Sequence, residues 1–356
     1  MNLYTEKGWI DIEHIAEVAD RNNINFIVMI GKRQVGKTYG VLKYMLDNDK
    51  RFIFMRRVKP ELRFIEKDIN NPFQAIEGYK DRVIFERDSE YTSSIYRLDP
   101  IGGADQDPED IEYNKVFIGE GLTLSTTGSI RGFNGSTFTD LVFDEFIPEI
   151  TVYKVPNEGD AFLNAHVTIN GNREMTGRPC LRSWLMANAN DINSGILQAL
   201  KIDRDIEKMT VSGSEFKIIP ERGIMLFMFQ SGAVTEERKK GGLYRAIGGD
   251  SEFSKMAFDN EFSKNDFSDI KRLPLKECQH YILIDGVSIL LHKSTGAIYI
   301  ASEQRSKPKY IYSNAKSSIN KFRRDFPELR PAYLGGRCRF ENMQVKNKFL
   351  KYMDLI

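Results

Sequence analysis

The sequence predicts an α/β protein organised around a phosphate-binding loop. Two apolar runs, Phe26 to Ile30 and Leu141 to Phe143, have the length and composition of strands buried on both faces of a sheet. The first run breaks at Gly31 into a turn rich in glycine and lysine, and the second is followed directly by Asp144 and Glu145. Because α/β proteins bind ligands at the carboxyl ends of their strands, we expect both features to serve one site.

The turn after the first strand fits the pattern G-x-x-x-x-G-K-[ST] through Gly31, Lys32, Arg33, Gln34, Val35, Gly36, Lys37 and Thr38. Gly31 and Gly36 permit backbone angles that turn N–H groups towards phosphate oxygens. Lys37 is expected to reach the β- and γ-phosphates, and the Thr38 hydroxyl to hold Mg²⁺. Tyr39 to Leu46 has helical periodicity, so its positive N-terminal end would face the same phosphates. The turn therefore predicts a nucleoside-triphosphate site.

The acidic pair predicts hydrolysis of that nucleotide. We expect its strand to neighbour the P-loop strand, so that Asp144 holds Mg²⁺ through water and Glu145 orients and deprotonates the attacking water. A GTPase would need a base-reading sequence of the type N-K-x-D. The Asn-Lys pairs beginning at Asn114, Asn320 and Asn347 all lack the following Asp, which favours ATP.

Hydrophobic periodicity and the positions of turn-forming and helix-capping residues predict the remaining elements of the first domain. Helices are predicted over 11–22 with Asp11 as the cap, from Pro60 onward, over 156–167 and over 192–202; strands are predicted over 51–55, 82–97, 115–124, 181–186, 217–219 and 224–229. Arg56, Arg57 and Lys59 follow a strand, where they would either meet a ligand or form a solvated strand end. Asn188 also follows a strand, as a sensor of the γ-phosphate or as a turn residue.

Length and charge suggest two domains, 1–232 and 273–356, joined by a linker or lid over 233–272. Three short strands are predicted in the second domain, over 281–284, 288–292 and 297–301, before basic helical segments. Residues 301–356 hold 13 Lys and Arg against 5 Asp and Glu, which suits a polyanionic partner or a solubilising surface. Three widely spaced cysteines favour a reducing compartment, and no apolar run is long enough for a membrane span.

Several stretches together resemble the DNA encapsidation ATPases of phi29-like phages, a branch of the genome-packaging ATPases known as terminase large subunits. The stretches occur in the order of that family at 31–39, 52–62, 142–147, 172–174, 186–189, 258–262 and 339–342. The resemblance implies an ASCE-type, RecA-like ATPase domain joined to an RNase H-like α+β domain. It also implies rings, usually pentameric, that dock on the portal of a procapsid in the host cytoplasm and drive double-stranded DNA inward.

The same resemblance implies roles for single residues. Lys37 and Thr38 would bind the nucleotide and Mg²⁺, Asp144 would hold Mg²⁺, and Glu145 would be the catalytic base. Arg33 would contact phosphate or pair with Glu145 between hydrolysis events. Asn188 would link phosphate sensing to movement.

Other implied roles remain open between alternatives. Arg131, Arg173 and Arg178 are the candidates for an arginine finger that reaches the γ-phosphate of a neighbouring subunit. Lys59 is the candidate for a contact with DNA phosphates. Because only Asp285 stands at an obvious strand end of the second domain, we expect that domain to lack nuclease activity and to bind the portal, DNA or a packaging RNA. The alternatives are a terminase with a working nuclease, or a nucleotide-gated nucleic-acid-binding protein with little turnover.

Overall fold

The computed structural model describes residues 3–6, 8–31, 35–101, 112–129, 133–148, 155–189, 192, 194–229, 267–302 and 307–355. The chain divides into two compact units, Met1–Ser263 and Lys264–Ile356. Among the described residues, no helix combines the length and the apolar character needed to cross a bilayer.

The described residues of the N-terminal unit form a mixed nine-stranded sheet with helices. Its helices are α1 Ile12–Arg21, α2 Lys37–Asp47, α3 Lys59–Ile65, α4 Glu158–Asn170, α5 Gly195–Ala199 and α6 Asp203–Ser212. Its strands are β1 Phe26–Gly31, β2 Phe52–Arg56, β3 Val83–Arg87, β4 Ser93–Ile101, β5 Glu112–Thr123, β6 Asp140–Asp144, β7 Arg182–Ala187, β8 Phe216–Ile219 and β9 Ile224–Phe229. The strand order is β3-β4-β5-β2-β6-β7-β1-β9-β8. The six strands from β5 to β9 in this order are parallel, and the sheet ends in antiparallel pairs.

The central strands are buried along nearly their whole length. All residues of β2, β6 and β9 are buried, as are all but the first of β1 and β7. Burial on both faces is typical of parallel strands covered by helices, and it explains why these strands appear in the sequence as unbroken apolar runs. The predicted α/β class is therefore confirmed, with a large, mainly parallel sheet.

One prediction about the sheet was wrong. β6, the strand that carries the acidic pair, does not neighbour β1, because β7 pairs with both of them. α2 spans this intervening strand, and the ring of Tyr44 on α2 packs 5.5 Å from that of Trp184 on β7. The first turn of α2 thereby approaches the end of β6 without direct pairing of the two strands.

Other elements differ from prediction in extent. The segment 82–97 contains two strands, β3 and most of β4, which pair antiparallel around a turn. The helix expected over 192–202 is limited to α5, and α6 was not anticipated. The cap of α1 is confirmed, since the Asp11 carboxylate accepts a hydrogen bond from the backbone N–H of His14 at 3.0 Å.

The C-terminal unit is a five-stranded sheet with three helices among its described residues. The strands are β10 Cys278–Ile284, β11 Val287–His292, β12 Ile298–Ala301, β13 Tyr310–Tyr312 and β14 Cys338–Phe340, in the order β13-β10-β11-β12-β14; the helices are α7 Lys316–Asp325, α8 Leu329–Leu334 and α9 Met343–Tyr352. The three predicted strands are confirmed. β10 and β11 form a hairpin whose turn residues, Asp285 and Gly286, both have positive φ, at 44° and 75°.

The predicted linker falls largely on residues 230–266, which lie outside the described residues. Its last residues belong to the C-terminal sheet: Ile270 forms a bridge with Phe340, and the N–H of Lys271 donates to the Phe340 carbonyl at 2.9 Å. The boundaries 1–232, 233–272 and 273–356 stay a prediction.

Candidate active site

The predicted phosphate-binding loop lies between the end of β1 and the start of α2. β1 ends at Gly31, and α2 begins at Lys37 directly after Gly36. Gly36 has φ +90°, a left-handed conformation that residues with a side chain rarely adopt. Val35 is buried in the core. Lys32, Arg33 and Gln34 lie outside the described residues, so their predicted contacts stay predictions.

Lys37 and Asn188 meet at this loop. The Lys37 ammonium donates to the Gly31 carbonyl at 3.1 Å, and its Nζ lies 3.5 Å from the amide oxygen of Asn188. Asn188 comes one residue after β7, the strand between β1 and β6. An amide in this position contacts the lysine expected to bind the γ-phosphate, as a phosphate sensor requires.

Thr38 and Asp144 are brought into direct contact. The Thr38 hydroxyl donates to Asp144 Oδ1 at 2.9 Å across 106 residues of sequence. Burial raises the pKa of the Asp144 carboxyl above its ordinary value, and the charge of Arg56 and the hydrogen bond from Thr38 oppose that rise. A hydroxyl and a carboxylate are the hard oxygen donors that Mg²⁺ prefers, and the ion usually takes its remaining ligands from water and substrate phosphates. The pair therefore fits the predicted metal site.

Glu145 has a strained backbone and an accessible carboxylate. Its φ is +55°, in the left-handed region that is unfavourable for a residue with a side chain, and its side chain is 48% exposed. The next N–H, of Phe146, donates to the Met186 carbonyl on β7 at 3.1 Å and so fixes the turn. This turn directs adjacent carboxylates into different surroundings, Asp144 into the protein and Glu145 towards solvent.

Arg56 joins the two carboxylates, a contact that sequence analysis missed. Its guanidinium donates from Nη1 to Asp144 Oδ2 and from Nη2 to Glu145 Oε2, both at 2.8 Å. Burial acts to lower the pKa of Arg56, but the carboxylates of Asp144, Glu145 and Glu61 outweigh it and raise the pKa above its usual value. Arg56 ends β2, which pairs directly with β6. The sequence feature that could have indicated this contact is the position of Arg56 at the end of a buried strand.

Replacing Arg56 with alanine should destabilise the nucleotide-free protein by about 3 kcal/mol, because it leaves the buried Asp144 carboxylate without its main counter-charge. Thermal unfolding with and without Mg²⁺ and a non-hydrolysable ATP analogue measures this. The ligand-induced rise in Tm should exceed that of the wild type, since Mg²⁺ supplies the missing positive charge. Arg63→Ala, on the exposed side of α3, is the control, and an equal loss of stability in both variants would contradict the proposed role of Arg56.

The family model of the Podovirus DNA encapsidation protein (Gp16) matches residues 113–353, more than half of the chain. The chain belongs to this family. The predicted resemblance to phi29-like DNA encapsidation ATPases is thereby confirmed.

Curated relatives of this encapsidation protein cover nearly the whole chain. The DNA packaging protein of Bacillus phage B103 is 24% identical over 342 residues, covering 91% of this chain and 94% of the relative. That of Bacillus phage phi29 is 24% identical over 341 residues, covering 91% of each. A chain of the bacteriophage phi29 viral genome packaging motor assembly superposes with a TM-score of 0.63 at 19% identity, covering 99% of this chain and 100% of that one. At that identity the structural match shows a shared fold.

The surroundings of the predicted arginine-finger candidates differ. Arg173 is only 4% exposed, and its Nη2 donates to the carbonyls of Gly135 and Phe138, which favours a structural role within its own chain. Arg178 is exposed, with Nε donating to the Thr176 hydroxyl at 2.9 Å. Arg131 lies outside the described residues.

Lys59, the predicted DNA contact, begins α3. Its ammonium pairs with the exposed carboxylate of Glu90 and lies 4.4 Å from the centre of the Tyr91 ring. The Lys59 hydrogen bond lowers the pKa of the Glu90 carboxyl. An exposed pair of this kind contributes little to stability because water screens the two charges, so Lys59 could exchange it for a phosphate at little cost.

Proposed function

We propose that this chain is an ATP-hydrolysing motor that moves double-stranded DNA into a procapsid through the portal. The observation that carries the proposal is the contact between Thr38, in the first turn of α2, and Asp144, with Glu145 beside it, at the end of β6. Membership of the encapsidation-protein family supports the packaging role. The absence of an N-K-x-D sequence supports ATP as the nucleotide.

Each described residue of the site would have its own role in hydrolysis. Lys37 and the amino end of α2 would bind the phosphates, while Thr38 and Asp144 would hold Mg²⁺. When bound, Mg²⁺ would neutralise negative charge on the phosphate oxygens. Glu145 would accept a proton from the attacking water, for which its carboxylate must first leave Arg56. Asn188, in contact with Lys37, would report whether the γ-phosphate is present.

We infer that the N-terminal unit contains an ASCE (additional strand, catalytic glutamate) domain of the RecA-like type, in which β7 is the additional strand and Glu145 the glutamate.

We also infer that the C-terminal unit is RNase H-like and inactive as a nuclease. Its Asp285 carboxylate accepts a hydrogen bond from the Tyr352 hydroxyl at 2.8 Å, which supports a structural role. Cleavage of plasmid DNA by the purified protein with Mn²⁺ would contradict this inference.

We propose that the chain acts as a ring, with Arg178 as the finger from the neighbouring subunit. Arg178→Ala alone should reduce ATP hydrolysis by about 10³-fold or more. Mixing it with the Glu145→Gln variant should restore part of the activity, because each glutamine-bearing subunit can still lend Arg178 to an intact neighbouring site. No recovery on mixing, or a wild-type rate for Arg178→Ala, would exclude a trans-acting role.

Lys59 is proposed to contact the DNA backbone. The portal and a packaging RNA are proposed as further partners of the ring, in the host cytoplasm. Phosphate contacts make DNA binding salt-dependent and insensitive to sequence. Lys59→Ala should therefore flatten the dependence of log K on log salt concentration by about 0.9 per subunit contact. An unchanged slope would remove Lys59 from the DNA interface.

The direct test of the proposed function is DNA packaging in a purified system. Procapsids, double-stranded DNA, ATP and the wild-type protein should yield DNA protected from added DNase. The Lys37→Ala variant should yield none, because it loses the main contact with the phosphates. Equal protection with the variant would contradict a motor powered at this site.

A further inference from the structure

The turn between β3 and β4, residues 88–92, contacts the ammonium of Lys59. Lys59 pairs with the Glu90 carboxylate, and its Nζ lies 4.4 Å from the centre of the Tyr91 ring. The side chains of Lys59 and Glu90 are 28% and 60% exposed, so the pair is accessible from solvent. The DNA contact proposed for Lys59 must therefore form where the ammonium already has an anionic partner.

Hydrogen bonds within the turn hold it closed. The Ser89 hydroxyl accepts from the backbone N–H groups of Tyr91 and Thr92 at 3.0 and 3.1 Å, and it lies 3.0 Å from the Thr92 hydroxyl. Bonds of this kind from a serine are typical of tight turns. The position of Glu90 therefore does not depend on its contact with Lys59 alone.

The turn is also joined to α3, the helix that begins at Lys59. Glu66, directly after the last residue of α3, accepts from the Arg87 guanidinium at the end of β3 and from the Ser93 hydroxyl at the start of β4. The two donors flank the turn, so α3 and the turn form one unit. This unit keeps the Glu90 carboxylate next to Lys59.

A second cation, Arg63, lies near the Glu90 carboxylate. Arg63 follows Lys59 by one helical turn, is exposed, and forms no ion pair among the residues that the structure describes. The hydrogen bond from Lys59, followed by the charges of Lys59 and Arg63, lowers the pKa of Glu90, so its carboxyl is ionised at neutral pH. A DNA phosphate that approaches Lys59 meets this negative charge, and the two anions repel each other.

We propose that Glu90 competes with DNA phosphate for Lys59, so that the motor releases DNA by exchanging one anion for another. The inference rests on the proposed function, in which Lys59 contacts the DNA backbone. When a phosphate leaves, the ammonium returns to Glu90 and is not left unpaired, which shortens the lifetime of the DNA contact. The uncharged ring of Tyr91 can stay against the ammonium in both states. A motor that steps along DNA needs contacts that break as readily as they form.

A competitor and a positioning residue differ in the sign of their effect on DNA binding. If Glu90 positioned Lys59 for DNA, its removal would weaken binding. Because Glu90 competes, Glu90→Gln should tighten the binding of double-stranded DNA by about threefold or more, mainly by slowing dissociation. The gain should shrink as the salt concentration rises, because salt screens exposed charges.

Fluorescence anisotropy of a labelled DNA duplex with the full chain measures the affinity, and chase with unlabelled DNA measures the dissociation rate. Both are recorded in the buffer in which the salt dependence of Lys59→Ala is determined. The double variant Lys59→Ala, Glu90→Gln should bind DNA as Lys59→Ala does, since no ammonium remains to compete for. Glu86→Gln removes the same charge from a carboxylate on β3 that pairs with Lys115, and it should change the affinity little.

Weaker or unchanged DNA binding by Glu90→Gln would overturn the proposal. Equal tightening by Glu86→Gln, or tightening that persists without Lys59, would overturn it too, because net charge alone would then explain the gain. An unchanged salt dependence in Lys59→Ala would instead reject the DNA contact itself. The failure of the competition is thus distinguishable from the failure of the contact on which it rests.

Discussion

Replacing Glu145 with glutamine should reduce the rate of ATP hydrolysis by about 10²–10⁴-fold while ATP binding is retained. Glutamine has nearly the same shape but does not accept a proton from the attacking water, and a general base contributes rate factors of this size. Binding should persist because Lys37 keeps its hydrogen bond to the Gly31 carbonyl and Thr38 keeps its hydrogen bond to Asp144.

Single-turnover hydrolysis and equilibrium binding of ATP separate the two effects. Glu86→Gln is the matched control, since Glu86 is as exposed as Glu145 but pairs with Lys115 at the sheet edge. Its hydrolysis rate should equal that of the wild type. Turnover by Glu145→Gln at the wild-type rate would remove Glu145 as the base, whereas loss of ATP binding would show that it supports the nucleotide instead.

The sequence predicted those parts of the site that depend on local pattern. The loop from Gly31 to Thr38 and the acidic pair after β6 each consist of neighbouring residues whose types and spacing carry the chemistry. Their meeting could be expected because parallel strands expose their carboxyl ends at one edge of the sheet. The contact between Thr38 and Asp144 agrees with that expectation.

Contacts that depend on tertiary structure could not be predicted from the sequence. The order of parallel strands is set by long-range pairing, so nothing local indicates that β7 separates β1 from β6. The burial of Arg173 depends on the carbonyls of residues 135 and 138, which are distant in sequence. β13 and β14 have three residues each, too few to show a period of two.

Adjacent arginines at the end of β2 show how one strand end can serve two purposes. Arg56 contacts the acidic pair on β6, whereas Arg57 contacts Glu158 in the first turn of α4. Arg56 is the last residue of β2 and Arg57 lies just beyond it, so these neighbours of the same type have different partners. In the sequence both are charged residues at a strand end, and no local pattern indicates that their partners differ.

The second of these contacts should be among the largest single contributions to stability. Glu158→Ala is expected to lower the free energy of unfolding by about 3–5 kcal/mol, since it removes the carboxylate that binds the buried guanidinium of Arg57. Arg57 is only 1% exposed, and its Nε and Nη2 donate to Glu158 Oε1 at 2.8 and 2.6 Å. Urea unfolding measures the loss. Glu90→Ala, which breaks the exposed pair with Lys59, should lower the stability far less than Glu158→Ala does.

A double variant separates the charge of this pair from its packing. Arg57→Met combined with Glu158→Leu removes both charges and keeps apolar volume, so it should recover most of the stability lost in Glu158→Ala. The pair also ties α4 to the strand end that carries Arg56. If stability recovers but ATP hydrolysis does not, the ion pair positions Arg56 for its contact with the catalytic carboxylates. A double variant no more stable than Glu158→Ala would show that packing, rather than the removal of the Glu158 charge, accounts for the loss.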